Sequence, residues 1–175
     1  MQRTRKRTER VTLLVSAGAI VLIGLVGILL VWLNGESVED PLAQWAAYPV
    51  ELDKNCVSGP LEGKAAPADA VAYGSLRYQL NAAPWFLDCD AQGTVCFQND
   101  VGNQHFVRIS YVLDGGDEVY RSGMIPPDSH IKRAKLTAGL AAGVYEGVCR
   151  IELFDMDSLQ VLGTLESDIT ITVAH

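Results

Sequence analysis

The sequence is short of the residues that most chemistry requires. Only three histidines occur in 175 residues, His105, His130 and His175, and no cysteine pair stands in a C-x-x-C spacing. Structural zinc needs four such ligands at short intervals, so a zinc module is excluded. No Gly-x-Ser-x-Gly elbow is present, and no histidine has an evident nucleophile and orienting partner, which removes the triad hydrolases. Gly115-Gly116 joins two strand-like runs and opens no helix, so a phosphate-cradling loop is missing too. The acidic pairs Asp88 with Asp90, Asp117 with Glu118 and Asp155 with Asp157 lack the order of a calcium loop. They sit in turns, where Asp accepts hydrogen bonds from nearby backbone. No catalytic residue, metal ligand or cofactor is expected.

Basic residues are scarce over most of the chain. The first ten positions hold Arg3, Arg5, Lys6, Arg7 and Arg10 against Glu9, a charge of +4. After Leu33 there are nine basic and twenty acidic residues, a charge of −11. Nucleic acid and anionic lipid share that sign, so neither suits the C-terminal part as a ligand.

Charge is absent altogether from Val11 to Leu33, 23 residues rich in Leu, Val, Ile and Gly. As a helix this run spans about 35 Å, enough to cross a hydrocarbon core of about 30 Å. A cleavable signal peptide has a shorter apolar core and a small-x-small end. Here the run ends in Val31-Trp32-Leu33-Asn34, with tryptophan at the interface. The reading is a retained transmembrane helix over 11–33 with the basic tail 1–10 cytoplasmic. The C-terminal bulk then lies outside the plasma membrane, attached through that one helix. Gly18, Gly24 and Gly27 form no G-x-x-x-G spacing, so they mark no helix-pairing face.

Residues 34–69 carry Pro41, Pro49, Pro60 and Pro67 and read as a juxtamembrane stalk, with one short helix around Pro41–Tyr48 and the rest either hugging the domain or extended. From residue 70 to 175 the pattern becomes short strands and turns. Strands are predicted over 71–80, around Val95–Phe97, over 105–113, 118–122, 131–136, 145–154 and 162–173, with a hairpin at Asp114–Asp117. On the strongest of these, Tyr145, Gly147, Cys149, Ile151 and Leu153 share one face. This predicts an all-β domain, an antiparallel two-sheet sandwich.

All four cysteines, Cys56, Cys89, Cys96 and Cys149, follow the apolar run, in a compartment where disulfides persist. Three pairings are open. The leading arrangement is a local Cys89–Cys96 bridge across a hairpin with Cys56–Cys149 closing a long loop. The alternative for Cys149 is a buried free thiol.

Leu140-Ala141-Ala142-Gly143-Val144-Tyr145 resembles the approach to a late strand in immunoglobulin-like sandwiches, where the tyrosine hydroxyl returns to upstream backbone. Cys149 follows that tyrosine by four residues where the family has two. From Ser75 to Val173, the Asn-flanked turn Asn99–Asn103, the Val119–Pro127 run and Gly143-Val144-Tyr145 are similar to small membrane-anchored envelope proteins of Gram-positive bacteria. That resemblance implies a surface sandwich and brings no catalytic residues. The candidate partner-contacting residues are Trp85 and Phe86, large apolar side chains in an edge-like segment, with Asn99 and Asn103. The expected function is a non-enzymatic interaction module accessory to an envelope or membrane complex. A structural envelope component that binds wall polymer or self-associates is the second expectation.

Overall fold

Strands form in this chain where β-branched and aromatic residues alternate with polar ones. The computed structural model describes residues 40–61 and 69–175. After a 3₁₀ helix at Ala43–Ala47 come β1 (Cys56–Ser58), β2 (Tyr78–Gln79), β3 (Trp85–Phe86), β4 (Gly93–Asn99) and β5 (His105–Leu113). Then follow β6 (Glu118–Arg121), β7 (Ser129–Ala134), β8 (Gly143–Asp155) and β9 (Val161–Val173). One sheet runs β1-β7-β4-β2 and the other β3-β9-β8-β5-β6. Neighbours are antiparallel except β3, which lies parallel to β9 and makes the second sheet mixed. The domain is all-β as expected, and everything from Pro41 onward belongs to one unit. No helix among the described residues is long and apolar enough to cross a membrane, and the segment 11–33 lies outside them.

Both sheets feed one core. Val95, Phe97 and Ile131 come from the first, and Ile109, Tyr111, Cys149, Ile151, Ile169 and Ile171 from the second. Each fully buried apolar side chain contributes about 1.5–3 kcal/mol. β8 sits between β5 and β9, and Gly147, Cys149, Ile151 and Leu153 are its buried face. The Tyr145 hydroxyl donates to the Ala141 carbonyl at 2.9 Å, the upstream return that the Leu140–Tyr145 pattern implies.

Three expectations differ from what is found. The strand expected over 71–80 shrinks to Tyr78–Gln79. Gly74 takes a left-handed φ of 77°, and Ser75 N–H donates to Ala72 O, so the chain turns there. The segment read as a stalk supplies β1, which pairs with β7 through Cys56 opposite Ile131.

The third difference concerns the cysteines: no disulfide joins any two of the four. Cys89 and Cys96 do not flank a hairpin, because β3 belongs to one sheet and β4 to the other. Cys96 itself sits at a β-bulge with φ 46°, its Sγ against the Lys132 carbonyl. Cys56 is on an edge strand of the first sheet and Cys149 on the central strand of the second. Tyr120 has both thiols as electrostatic neighbours. A disulfide needs Cα atoms within about 7 Å, and the two thiols do not stand at bonding distance. Burial pushes the Cys56 and Cys149 thiols up to about 12.

Two outcomes follow from this packing. In the native protein at pH 8, iodoacetamide should label Cys89 and Cys96 at least tenfold faster than Cys56 and Cys149, as read by peptide mass spectrometry, because thiolate and access govern the rate. Equal rates at all four would contradict the burial. A Cβ at Gly147 would lie 2.9 Å from Leu113 Cα and closer still to the Val112 carbonyl, whereas one at Gly163 meets nothing within 4 Å. Gly147→Ala should therefore lower the unfolding free energy in urea by about 1–3 kcal/mol, and Gly163→Ala by much less.

Candidate functional site

The turns at one end of the domain are built by side chains that bind backbone. Asn99 is fully buried. Its Nδ2 donates to the carbonyls of His105 (3.0 Å) and Ile125 (2.9 Å), and its Oδ1 accepts from Asn103 Nδ2 at 2.7 Å. Asn103 in turn accepts from Arg77 N–H and donates to Arg77 O. The β4–β5 turn is thus tied to the chain entering β2. Amide side chains suit the task because each offers both donors and an acceptor.

His105 extends the same network. Its ring is fully buried, Nε2 accepts from Gly74 N–H at 3.0 Å, and the Tyr73 ring meets it edge-on at 4.8 Å. An accepting Nε2 carries no proton, so the ring is neutral with its hydrogen on Nδ1. Burial holds its pKa below the ordinary histidine value, with Asp155, its cross-strand partner, pulling the other way.

Asp155 anchors the β8–β9 turn. Oδ1 accepts from Asp157 N–H and from the N–H and hydroxyl of Ser158, and Oδ2 accepts from the Tyr73 hydroxyl at 2.6 Å. These bonds, the Tyr73 one foremost, hold its carboxyl well below the usual range. The turn chemistry expected is found at the Asp155 carboxylate, and Asp88 does the same for Asp90 and Ala91, whereas Glu118 lies on β6 and pairs with Arg121 at 2.8 Å.

Between these turns lies a pocket of about 610 Å³. Its aromatic walls are Trp45, Tyr48 and Tyr73, and its acidic groups are Asp128, Asp155 and Asp157. Trp45 and Tyr48 are positioned by edge contacts to Phe106 at 5.6 and 5.2 Å. Phe106 lies on the face of β5 turned away from the core, and these contacts cover it. Asp128 adopts a left-handed φ of 54°, which Asp tolerates better than most residues. Burial raises its pKa, with Asp100 adding to the effect and His130 opposing it. Among the described residues no hydrogen bond or ion pair reaches the Asp128 carboxylate, and no three Asp, Glu, His or Cys side chains converge as a metal site needs.

The residues marked by sequence fall in different places. Trp85 is 45% exposed, but on β3 opposite Thr172, at the end of β9 remote from the β8–β9 turn. Phe86 is wholly buried against Gly93, and Asn99 is spent on backbone, so both serve the interior. Asn103 alone of the four lines the pocket. Trp45, Tyr48, Tyr73 and Asp128 were missed. The signal for the first two was the short helical stretch Pro41–Tyr48, which places two large aromatics in a segment otherwise read as a spacer. No family model, curated protein or solved structure matches the chain.

A depressed histidine pKa is a stability statement. The contribution of neutral His105 is complete above its unfolded pKa of about 6.5 and is lost as pH falls below it, since the unfolded chain then binds the extra proton. Unfolding free energy should decline from pH 7 to pH 5, and His105→Gln, which keeps an acceptor for Gly74, should flatten that decline. An unchanged slope in urea titrations would refute the assignment.

Proposed function

We propose that this chain is a membrane-anchored, non-enzymatic binding module, exposed outside the cell as an accessory of an envelope or membrane complex. It recognises a protein partner through the aromatic and acidic pocket. The pocket is the observation that carries this reading. Three aromatic faces beside three carboxylates, none of which forms an ion pair among the described residues, suit a lysine or arginine side chain: the ring quadrupoles and the carboxylates attract the same charge. The acidic excess after Leu33 favours the same partner at longer range.

An immunoglobulin-like sandwich is the finer reading of the fold. The Tyr145 bond to Ala141 supports it, as do the two sheets with one late strand central. Connecting turns that gather at one end are where such domains carry recognition loops. A binding role over catalysis is supported by the histidines: His105 Nε2 is taken by Gly74 N–H, and His130 Nδ1 by the Gly59 carbonyl at 2.8 Å. The uncharged run 11–33 supports the anchor, and the similarity to Gram-positive envelope proteins supports the setting.

The test is photo-crosslinking in native cells from a probe at Met156, on the pocket wall. One recurrent protein should be recovered, attached through a segment with Lys or Arg. Asp128→Asn should cut that recovery about tenfold or more, as loss of a charge-assisted contact predicts. Recovery of wall fragments or self-adducts alone would instead establish the structural envelope component.

A further inference from the structure

The two edges of β9 are not equally used. Its inner edge pairs with β8 without a break from Gly163 to Val173. On the outer edge, Thr170, Thr172 and Ala174 donate their N–H groups to the carbonyls of Ala82, Pro84 and Phe86. Strand alternation therefore turns the N–H and C=O groups of Thr164, Glu166 and Asp168 toward the same outer side. Among the described residues no strand pairs with them there. A row of outward backbone groups on a long strand is a template for a further strand.

An apolar groove of about 370 Å³ runs beside this open stretch, with Leu76, Leu153, Leu162 and Leu165 in its walls. Leu165 lies opposite Ile151 and so on the core-facing side of the sheet, yet it is 41% exposed. Leu162 is 43% exposed. The sheet thus extends beyond its cover at the point where its edge is open. On the other face Glu166 and Asp168 add two carboxylates. Glu166 pairs with Arg150 at 3.1 Å, and Asp168 has no ion pair among the described residues.

We propose that the outer edge of β9 at Thr164–Asp168 receives one extended strand of a partner protein that alternates apolar and basic side chains. The backbone groups supply the ladder, the groove takes the apolar side chains, and the two carboxylates attract the basic ones on the opposite face. A second copy of this chain is disfavoured by charge, since antiparallel pairing of two such edges sets carboxylates against one another. This surface is separate from the pocket and does not depend on its ligand.

The test uses full-length protein in detergent and residue-resolved amide exchange, with a capped ten-residue peptide alternating lysine with valine or leucine as probe. A version with glutamate for lysine is the charge control, and one with proline at every second position is the backbone control. The lysine peptide should slow exchange at Thr164, Glu166 and Asp168 at least tenfold, leave Leu165 and Ser167 unchanged, and outperform the glutamate peptide at least fivefold. The proline peptide should do nothing. Absence of the alternating protection at 1 mM lysine peptide overturns the proposal, as does equal protection by the glutamate peptide. Protection of the same three amides without peptide, rising with protein concentration, overturns it in favour of a second copy.

Discussion

The two sheets differ in length, and most of the domain's features follow from that mismatch. β8 and β9 are 13 residues each, while the longest strand of the facing sheet, β4, has seven. At about 3.3 Å per residue the second sheet outreaches the first by roughly 20 Å. Apolar surface on the excess must be covered by something other than a strand. The Gly74 turn does this in part, with Leu76 packed on the core and Tyr73 bonded to Asp155. What the turn leaves uncovered is the groove beside Leu165.

The polar interior is the counterpart of this arrangement. Irregular segments that cover a sheet carry backbone groups that no ladder satisfies, and each is costly if left unpaired. Asn99, Asn103, His105 and Asp155 supply the missing partners, and this explains why three of them are almost fully buried. The same residues hold the turns apart at a fixed spacing, which leaves the pocket. Concavity here is a by-product of satisfying backbone, with Trp45 and Tyr48 held at its rim by Phe106 and Asp128 by its left-handed backbone.

Away from the pocket, the face of the second sheet turned from the core is laced by cross-strand ion pairs. Arg108 pairs with Glu152 at 2.9 Å and lies 4.7 Å over the Phe154 ring, and Arg150 pairs with Glu166. Such pairs contribute little to stability each, but they keep a broad β surface charged and disfavour unselective stacking. Asp128, Asp155 and Asp157 at the pocket and Asp168 on β9 lie outside these pairs.

Local pattern alone was enough for much of the architecture. Alternation over 105–113 and 145–154 and the Gly-Gly turn at 115–116 are properties of short windows, and each appears in the structure as read; the Tyr145 hydroxyl bond is what the immunoglobulin-like resemblance implied. The turn roles of Asp88 and Asp155 were legible for the same reason, since their acceptors and donors lie within three residues. What needed the tertiary structure were relations between distant segments. Cys89 and Cys96 are close in sequence, yet the strands beside them enter different sheets, and no window of seven residues contains that information. Phe86 and Trp85 alternate like any edge pair, and only the approach of Gly93 decides which one is buried. The pocket joins Trp45, Tyr73, Asp128 and Asp155 from four separate stretches. Its existence rests on packing and unequal strand lengths, which act over the whole domain and leave no mark at any single position.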